Sequence, residues 1–311
     1  MLNRRGLIQS TIGIVLLSHN KSFADETHDY KNLMPEFFKV WDKSKSSKNR
    51  AKFLKMAFFD KNKTLYDALN IGIKENDIEE WLIKFTPFAE DVRNLSQSFA
   101  KIYDAHNTKY KKYFPDFDHS KAKICLMPSM LNFDGRVPGD LKPLTLYFGA
   151  DGIIVFHGKN ANLELLLDHE SYHLYQGQVR PKESYKNVAP PIYNAMWMEG
   201  TATYVSHALN PSATRLEVLL GDKNLDNIGP EEFRKCAQYA LDNIDSNKDE
   251  DYARFFQFNW KGEFPSRGGY LLGYLAAKEA SKNLSLAQMA KINSKQVREI
   301  IKNYLETTLK V

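Results

Sequence analysis

The chain is poor in the features that would narrow its class at once. It has two cysteines in 311 residues, Cys125 and Cys236, which excludes a disulfide-stapled scaffold and a cysteine-rich zinc module. No apolar run approaches the ~20 residues that a bilayer-spanning helix needs, so no stable membrane insertion of the mature chain is expected. Charge of one sign is also missing: 43 Lys and Arg stand against 38 Asp and Glu, and this gives no electrostatic case for nucleic-acid binding. The 16 glycines and 12 prolines show no period, which excludes collagen-like and low-complexity chains. What is there is a globular composition, 43% hydrophobic, enough for a sizeable core. Lys109, Lys111 and Lys112, interleaved with Tyr110 and Tyr113, read as a solvated helix end.

The first 24 residues read as an address. Arg4 and Arg5 form a basic start, Gly6 to Leu17 a short apolar stretch, and Ser22-Phe23-Ala24 a small-x-small cleavage site. The paired arginines before Gly6-Leu7-Ile8 resemble a twin-arginine signal, with Asn3 and Gln9 as departures. Residues 1–24 are therefore expected to be a signal peptide, and the mature protein periplasmic or secreted. Its removal takes away three basic residues and no acidic one, leaving the mature chain near neutrality. In an oxidising compartment a Cys125–Cys236 disulfide depends on a geometry that spacing does not supply.

Two further regions follow, 25–118 and 119–311. The first is helical in pattern, with apolar faces through Phe37, Phe38 and Trp41 and through Trp81, Ile83, Phe85 and Phe88, and Pro87 as a breaker. The second opens with expected strands at 123–127, 144–148 and 153–156, the last two joined by a turn over Gly149-Ala150-Asp151-Gly152. Helices are expected at about 161–178, 193–209, 269–283 and 286–309, with 221–263 unassigned. Helices, a small sheet and more helices define an α+β class, mostly helical.

The chemistry sits in Asp168-His169-Glu170-Ser171-Tyr172-His173. Two imidazoles four residues apart share one helix face and can reach a single ion. Glu170 points towards the same cavity, as a base for a metal-activated water must. Zinc suits such nitrogen and carboxylate donors, which makes Zn2+ the expected cofactor. The longer metzincin pattern would need a glycine at position 176 and a histidine at position 179, where Gln176 and Val179 stand. A third ligand is available on the next helix in Trp197-Met198-Glu199-Gly200-Thr201-Ala202, where apolar neighbours indicate burial for Glu199.

His169-Glu170-x-x-His173 followed by Glu199-Gly200-x-Ala202 resembles the gluzincin clan of zinc metallopeptidases. Within it the chain is most similar to bacterial predicted zinc-dependent proteases whose signature joins such a helix to a Glu-Gly-x-Ala segment. The resemblance covers about residues 124–277. It implies a zincin-like catalytic domain over 119–311, with His169, His173 and Glu199 as metal ligands and Glu170 as general base. It departs at Thr203, where several gluzincins carry an aspartate that braces the first histidine. An oxyanion donor is then required, and Tyr270 is the first candidate, ahead of Tyr274, Arg267 and His207. The function so implied is an exported zinc metallohydrolase acting on a peptide or protein. The alternative is an exported metal- or partner-binding protein that keeps the shell without hydrolysis.

Overall fold

The computed structural model describes residues 30–138, 144–160, 162–181, 190–257 and 260–310. The expected signal segment, 1–24, lies outside these residues. No helix among the described residues is long and apolar enough to cross a membrane.

A four-stranded mixed sheet organises the helices. Its strands are β1 (Tyr30–Asn32), β2 (Ala122–Met127), β3 (Gly135–Arg136) and β4 (Leu144–Gly149), in the spatial order β1-β2-β4-β3. β1, β2 and β4 run parallel, with Tyr30 opposite Ile124 and Ile124 opposite Leu146. β3 is antiparallel to β4 and places Gly135 opposite Phe148 at one edge. β2 and β4 are buried along most of their length, which explains their continuous apolar runs: strands covered on both faces lose the alternation of a half-exposed strand.

Helices cover both the sheet and each other. Those that matter here are α1 (Met34–Ser44), α2 (Glu75–Phe85), α3 (Ala89–Tyr113), α4 (Ala150–His157), α5 (Leu163–Val179), α6 (Ile192–Leu209), α7 (Pro230–Asp242), α8 (Asp249–Phe256), α9 (Gly268–Ala280) and α10 (Ser294–Lys310). The aromatic stripes of α1 and α2 meet in a cluster in which Phe37, Trp41, Trp81 and Phe85 pack edge-on, tilted or stacked, with Trp41 and Phe85 ring centres 4.7 Å apart. The main apolar core runs without interruption from these helices through β2 and β4 into α5. The described part of the helical region, 30–118, and the segment after it therefore share one core, and β1 places a strand from the former in the sheet of the latter. A second apolar cluster joins α6, α7, α8, α9 and α10.

Three local expectations need correction. The run Ile153–Phe156 is not a strand: residues 150–157 form α4. A short buried apolar run is the case in which periodicity does not discriminate strand from helix. Long-range contacts decide it. Fully buried Asp151, in the first turn of α4, accepts hydrogen bonds from the Ser129 and Leu131 backbone N–H groups, the Ser129 hydroxyl and the Trp81 indole. Gly149 and Gly152 lie so close to the Phe133 carbonyl oxygen that a Cβ on either would fall 2.2 or 2.1 Å from it. They are contact glycines, not turn glycines. The expected single helix 286–309 is also two, Leu286–Lys291 and α10. Asn293 separates them, its side chain accepting from the Gln296 N–H while Gln296 accepts from the Asn293 N–H. The unassigned 221–263 stretch contains α7 and α8. Cys125 and Cys236 are buried free thiols, one in each apolar cluster.

Candidate metal centre

α5 carries the two-histidine motif. It is buried on nearly every side from Leu165 to Tyr172, because β3 and β4, α3 and α6 all pack on it. This accounts for its weak amphipathic pattern. α6 carries Glu199 and is buried in the same way. It crosses α9 at very short range: a Cβ on Gly200 would lie 2.1 Å from the Gly273 carbonyl carbon, and one on Gly273 would lie 2.0 Å from the Met196 oxygen. The glycine next to Glu199 is thus required by a helix crossing, and that crossing fixes where Glu199 stands.

Three donor atoms converge. His169 Nε2 and His173 Nε2 are 3.1 Å apart, and Glu199 Oε2 lies 3.4 Å from the first and 3.5 Å from the second. These are the dimensions of a ligand set. A tetrahedral zinc bonded at ~2.0–2.1 Å separates its ligand atoms by about 3.3 Å. Among the described residues this is the only group of three or more His, Cys, Asp or Glu whose donor atoms approach in this way. Glu199 Oε2 is buried and accepts no hydrogen bond from protein, a costly state for a carboxylate oxygen unless a cation faces it. The residues present therefore fit a zinc ion.

The electrostatics agree. Burial works to raise the Glu199 pKa, but the charge of His173 and the close approach of both imidazoles outweigh it and hold the carboxyl far below the ordinary range. For His173 burial works downward, yet Glu199, aided by Glu170, pushes the pKa up to about 9. His169 is shifted the other way, by burial first, with the charges of His173 and Arg267 adding to it. These shifts favour a proton on His173 beside an ionised Glu199 when no metal is bound. An incoming metal must displace that proton.

The expected base, Glu170, is buried beside the three donors but is not one of them. Its surroundings push its pKa up to about 8, by desolvation first and then by the negative charges of Asp134 and Glu199, against the lowering effect of His173. Its carboxyl abuts β3 so tightly that a Cβ on Gly135 would lie 2.5 Å from the Glu170 Cδ. Asp134, next in the chain, is paired with His157 at 2.6 Å and accepts the Gly135 N–H. Neither Gly135 nor the Asp134–His157 pair was identified from sequence. The only signal was a glycine flanked by charges in a loop.

Gln176 was read only as a departure from the metzincin pattern. Its carbonyl oxygen stands 3.3 Å from His173 Nδ1, and its amide donates to the Thr201 hydroxyl, which donates in turn to the Trp197 carbonyl. A proton held on Nδ1 leaves Nε2 free to bind a metal. Thr203, standing where a bracing aspartate was looked for, donates to the Glu199 backbone carbonyl instead. His207 bonds the Tyr274 hydroxyl at 2.7 Å, which places both in a contact of their own. Tyr270 is buried at the start of α9, with its ring 5.9 Å from that of Phe256 and the Arg267 guanidinium 4.4 Å over its face. Arg267 is itself buried, in a left-handed conformation at φ 63° that lets α9 begin there.

A mostly helical α+β chain that closes two imidazoles and a carboxylate around one point has the donor set of a zinc protein. The sequence model of a family described as "Putative zinc dependent peptidase (DUF5700)" matches residues 41–310, and the chain belongs to that family. No curated protein and no solved structure matches the chain.

Proposed function

We propose that the protein is an exported zinc metallopeptidase of gluzincin type, in which His169, His173 and Glu199 hold Zn2+ and Glu170 is the general base. The observation that carries this is the 3.1–3.5 Å spacing of three donor atoms, two on buried residues and one on a half-buried histidine, beside a fourth carboxylate that is not among them. When bound, zinc supplies Lewis acidity towards a water and a substrate carbonyl. Glu170 takes the proton of the attacking water and delivers it to the departing amine. Its burial suits both halves of that task, because a carboxyl shifted towards neutral pH exchanges protons readily in either direction. Gln176 keeps His173 in the metal-binding tautomer, and Tyr270 is the proposed donor to the developing oxyanion.

The substrate is a peptide or protein. Hydrolysis across a broad peptide library, abolished by a chelator and restored by zinc, tests the reading. Stoichiometric zinc without turnover would leave an exported metal-binding protein in its place. Export rests on Arg4, Arg5 and the Ser22-Phe23-Ala24 site. N-terminal sequencing of protein from the periplasm or medium should begin at Asp25, and a chain starting at Met1 would contradict it.

Zinc affinity should rise with pH. Below about pH 9 the proton on His173 must leave, and Glu170, protonated below about 8 in the metal-free chain, loses its own as the cation arrives. Between one and two protons are released near neutrality, so affinity should climb roughly 10- to 100-fold per pH unit and level off above the two pKa values. Chelator competition across pH 6–9.5, a range set by those shifts, measures this, and a flat profile would contradict the protonation scheme. Gly135→Ala should leave zinc bound but lower kcat by ~100-fold, the order expected when a reacting group is displaced by ~1 Å. Wild-type turnover in that variant would show that Glu170 has room to spare.

A further inference from the structure

The opposite face of α5 is also built with unusual care. Successive helical residues turn by about 100°, so His169, Glu170 and His173 project to one side while Asp168 and Ser171 project to the other. Both of the latter are buried, and both meet one side chain from the N-terminal helical region, His106 of α3. His106 Nδ1 is 3.2 Å from Asp168 Oδ1, and its Nε2 is 2.9 Å from the Ser171 hydroxyl. The second oxygen of Asp168 accepts a hydrogen bond of 2.7 Å from the Asn210 amide, at the end of α6. Asn210 also bonds the Ser206 carbonyl and receives Lys109 of α3 at 2.9 Å.

Ser171, His106 and Asp168 are connected in the order of a hydrolytic triad, but none is more than 4% exposed, so no substrate reaches the hydroxyl. The connectivity serves another end. Asp168 immediately precedes His169, and Asn210 closes the helix that carries Glu199. One carboxylate therefore joins α3 to the helices bearing all three donor atoms. Burying such a group costs desolvation that an apolar contact would avoid, while the Asn210–Asp168 and His106–Ser171 hydrogen bonds and the 3.2 Å approach of His106 to Asp168 fix a relative position that apolar packing leaves looser.

We infer that His106 and Asp168 are positioning residues of the metal centre, forming with Asn210 a buried node through which the N-terminal helical region sets α5 against α6. This rests on the metal-site reading above. It makes 25–118 part of the catalytic unit rather than an appendage to it.

The test uses the full mature chain loaded with Co2+, whose visible absorption reports ligand geometry, together with zinc affinity by chelator competition. His106→Ala should alter the cobalt spectrum and weaken zinc by ~10–100-fold, the range for groups that orient metal ligands. His106→Asn, which keeps an amide near the Nδ1 position, should recover most of that loss. Asn210→Ala, acting on the same carboxylate from α6 at a half-buried site, should shift the spectrum in the same sense, and it decides the matter should His106→Ala not fold. Leu54→Ala, fully buried in the short helix Arg50–Leu54 that packs on α1 and α2, supplies a destabilised control whose spectrum should stay that of the wild type. Wild-type spectra and affinities in both His106→Ala and Asn210→Ala, or an equal change in Leu54→Ala, would overturn the inference while leaving the metal site standing. A wild-type chain that takes up no cobalt or zinc would remove the metal-site reading, and this inference with it.

Discussion

Glu170→Gln should retain bound zinc and lose nearly all turnover. The two side chains have the same shape, so the tight seat against Gly135 is kept, and Glu170 is not among the three converging donors. What disappears is a group that can accept a proton. General-base contributions of this kind amount to ~100- to 10,000-fold, and kcat should fall by that factor with KM little changed. The buried carboxyl also predicts a sign for the variant's metal binding. In the metal-free wild type Glu170 is largely neutral at pH 7, so Gln at this position resembles the resting state. Zinc binding to the variant should release fewer protons, with a shallower dependence on pH. Turnover at the wild-type rate on a validated substrate would remove Glu170 from the mechanism.

Glu199→Ala should cost more affinity for zinc than any substitution outside the three donors. Groups that merely orient a ligand cost ~10–100-fold, and the loss of a ligand itself should exceed that range. The fold should survive. Removing one partner of a buried ion pair is severe when the other remains charged, but His173 can discharge: without Glu199, burial works on it largely unopposed and lowers its pKa. The variant should therefore melt cooperatively, with His173 neutral near pH 7 where the metal-free wild type holds it charged. NMR titration of the His173 ring separates the two cases. Unchanged zinc affinity in Glu199→Ala would mean that the metal sits elsewhere or needs only the two imidazoles.

Much of the site was legible because its chemistry is local. Two histidines four apart and a carboxylate next to an apolar helix stretch bring their own geometry, since helical spacing alone aligns them. Glu199 was legible through its apolar neighbours, which announced a buried charge in need of a partner. The sequence reading was less complete wherever a residue's role depends on distant chain. Asp151 looked like the middle of a hairpin turn. Its four donors come from Trp81, Ser129 and Leu131, far enough away that only the fold collects them. Gly135 and Gly273 are glycines because another element passes within van der Waals distance, and nothing adjacent in sequence says so. Asp168 faces away from the three donors, and its partner on α3 lies 62 residues upstream.

The same distinction explains the apolar pattern. α1 and α2 present one stripe each and read clearly as amphipathic helices, whereas α4, α5 and α6 are enclosed and give little moment to read. Enclosure is what the chemistry needs. Donor atoms held in a dry, closely packed frame keep their positions without a metal, and ion binding then costs little rearrangement.

Anomalous diffraction at the zinc edge, from crystals of the zinc-loaded mature chain, addresses the central claim most directly. A single strong peak bounded by His169 Nε2, His173 Nε2 and Glu199 Oε2, with Glu170 outside bonding distance, is the predicted result. A peak at any other place, or no peak beside those atoms in a chain that carries one zinc per molecule, would contradict it.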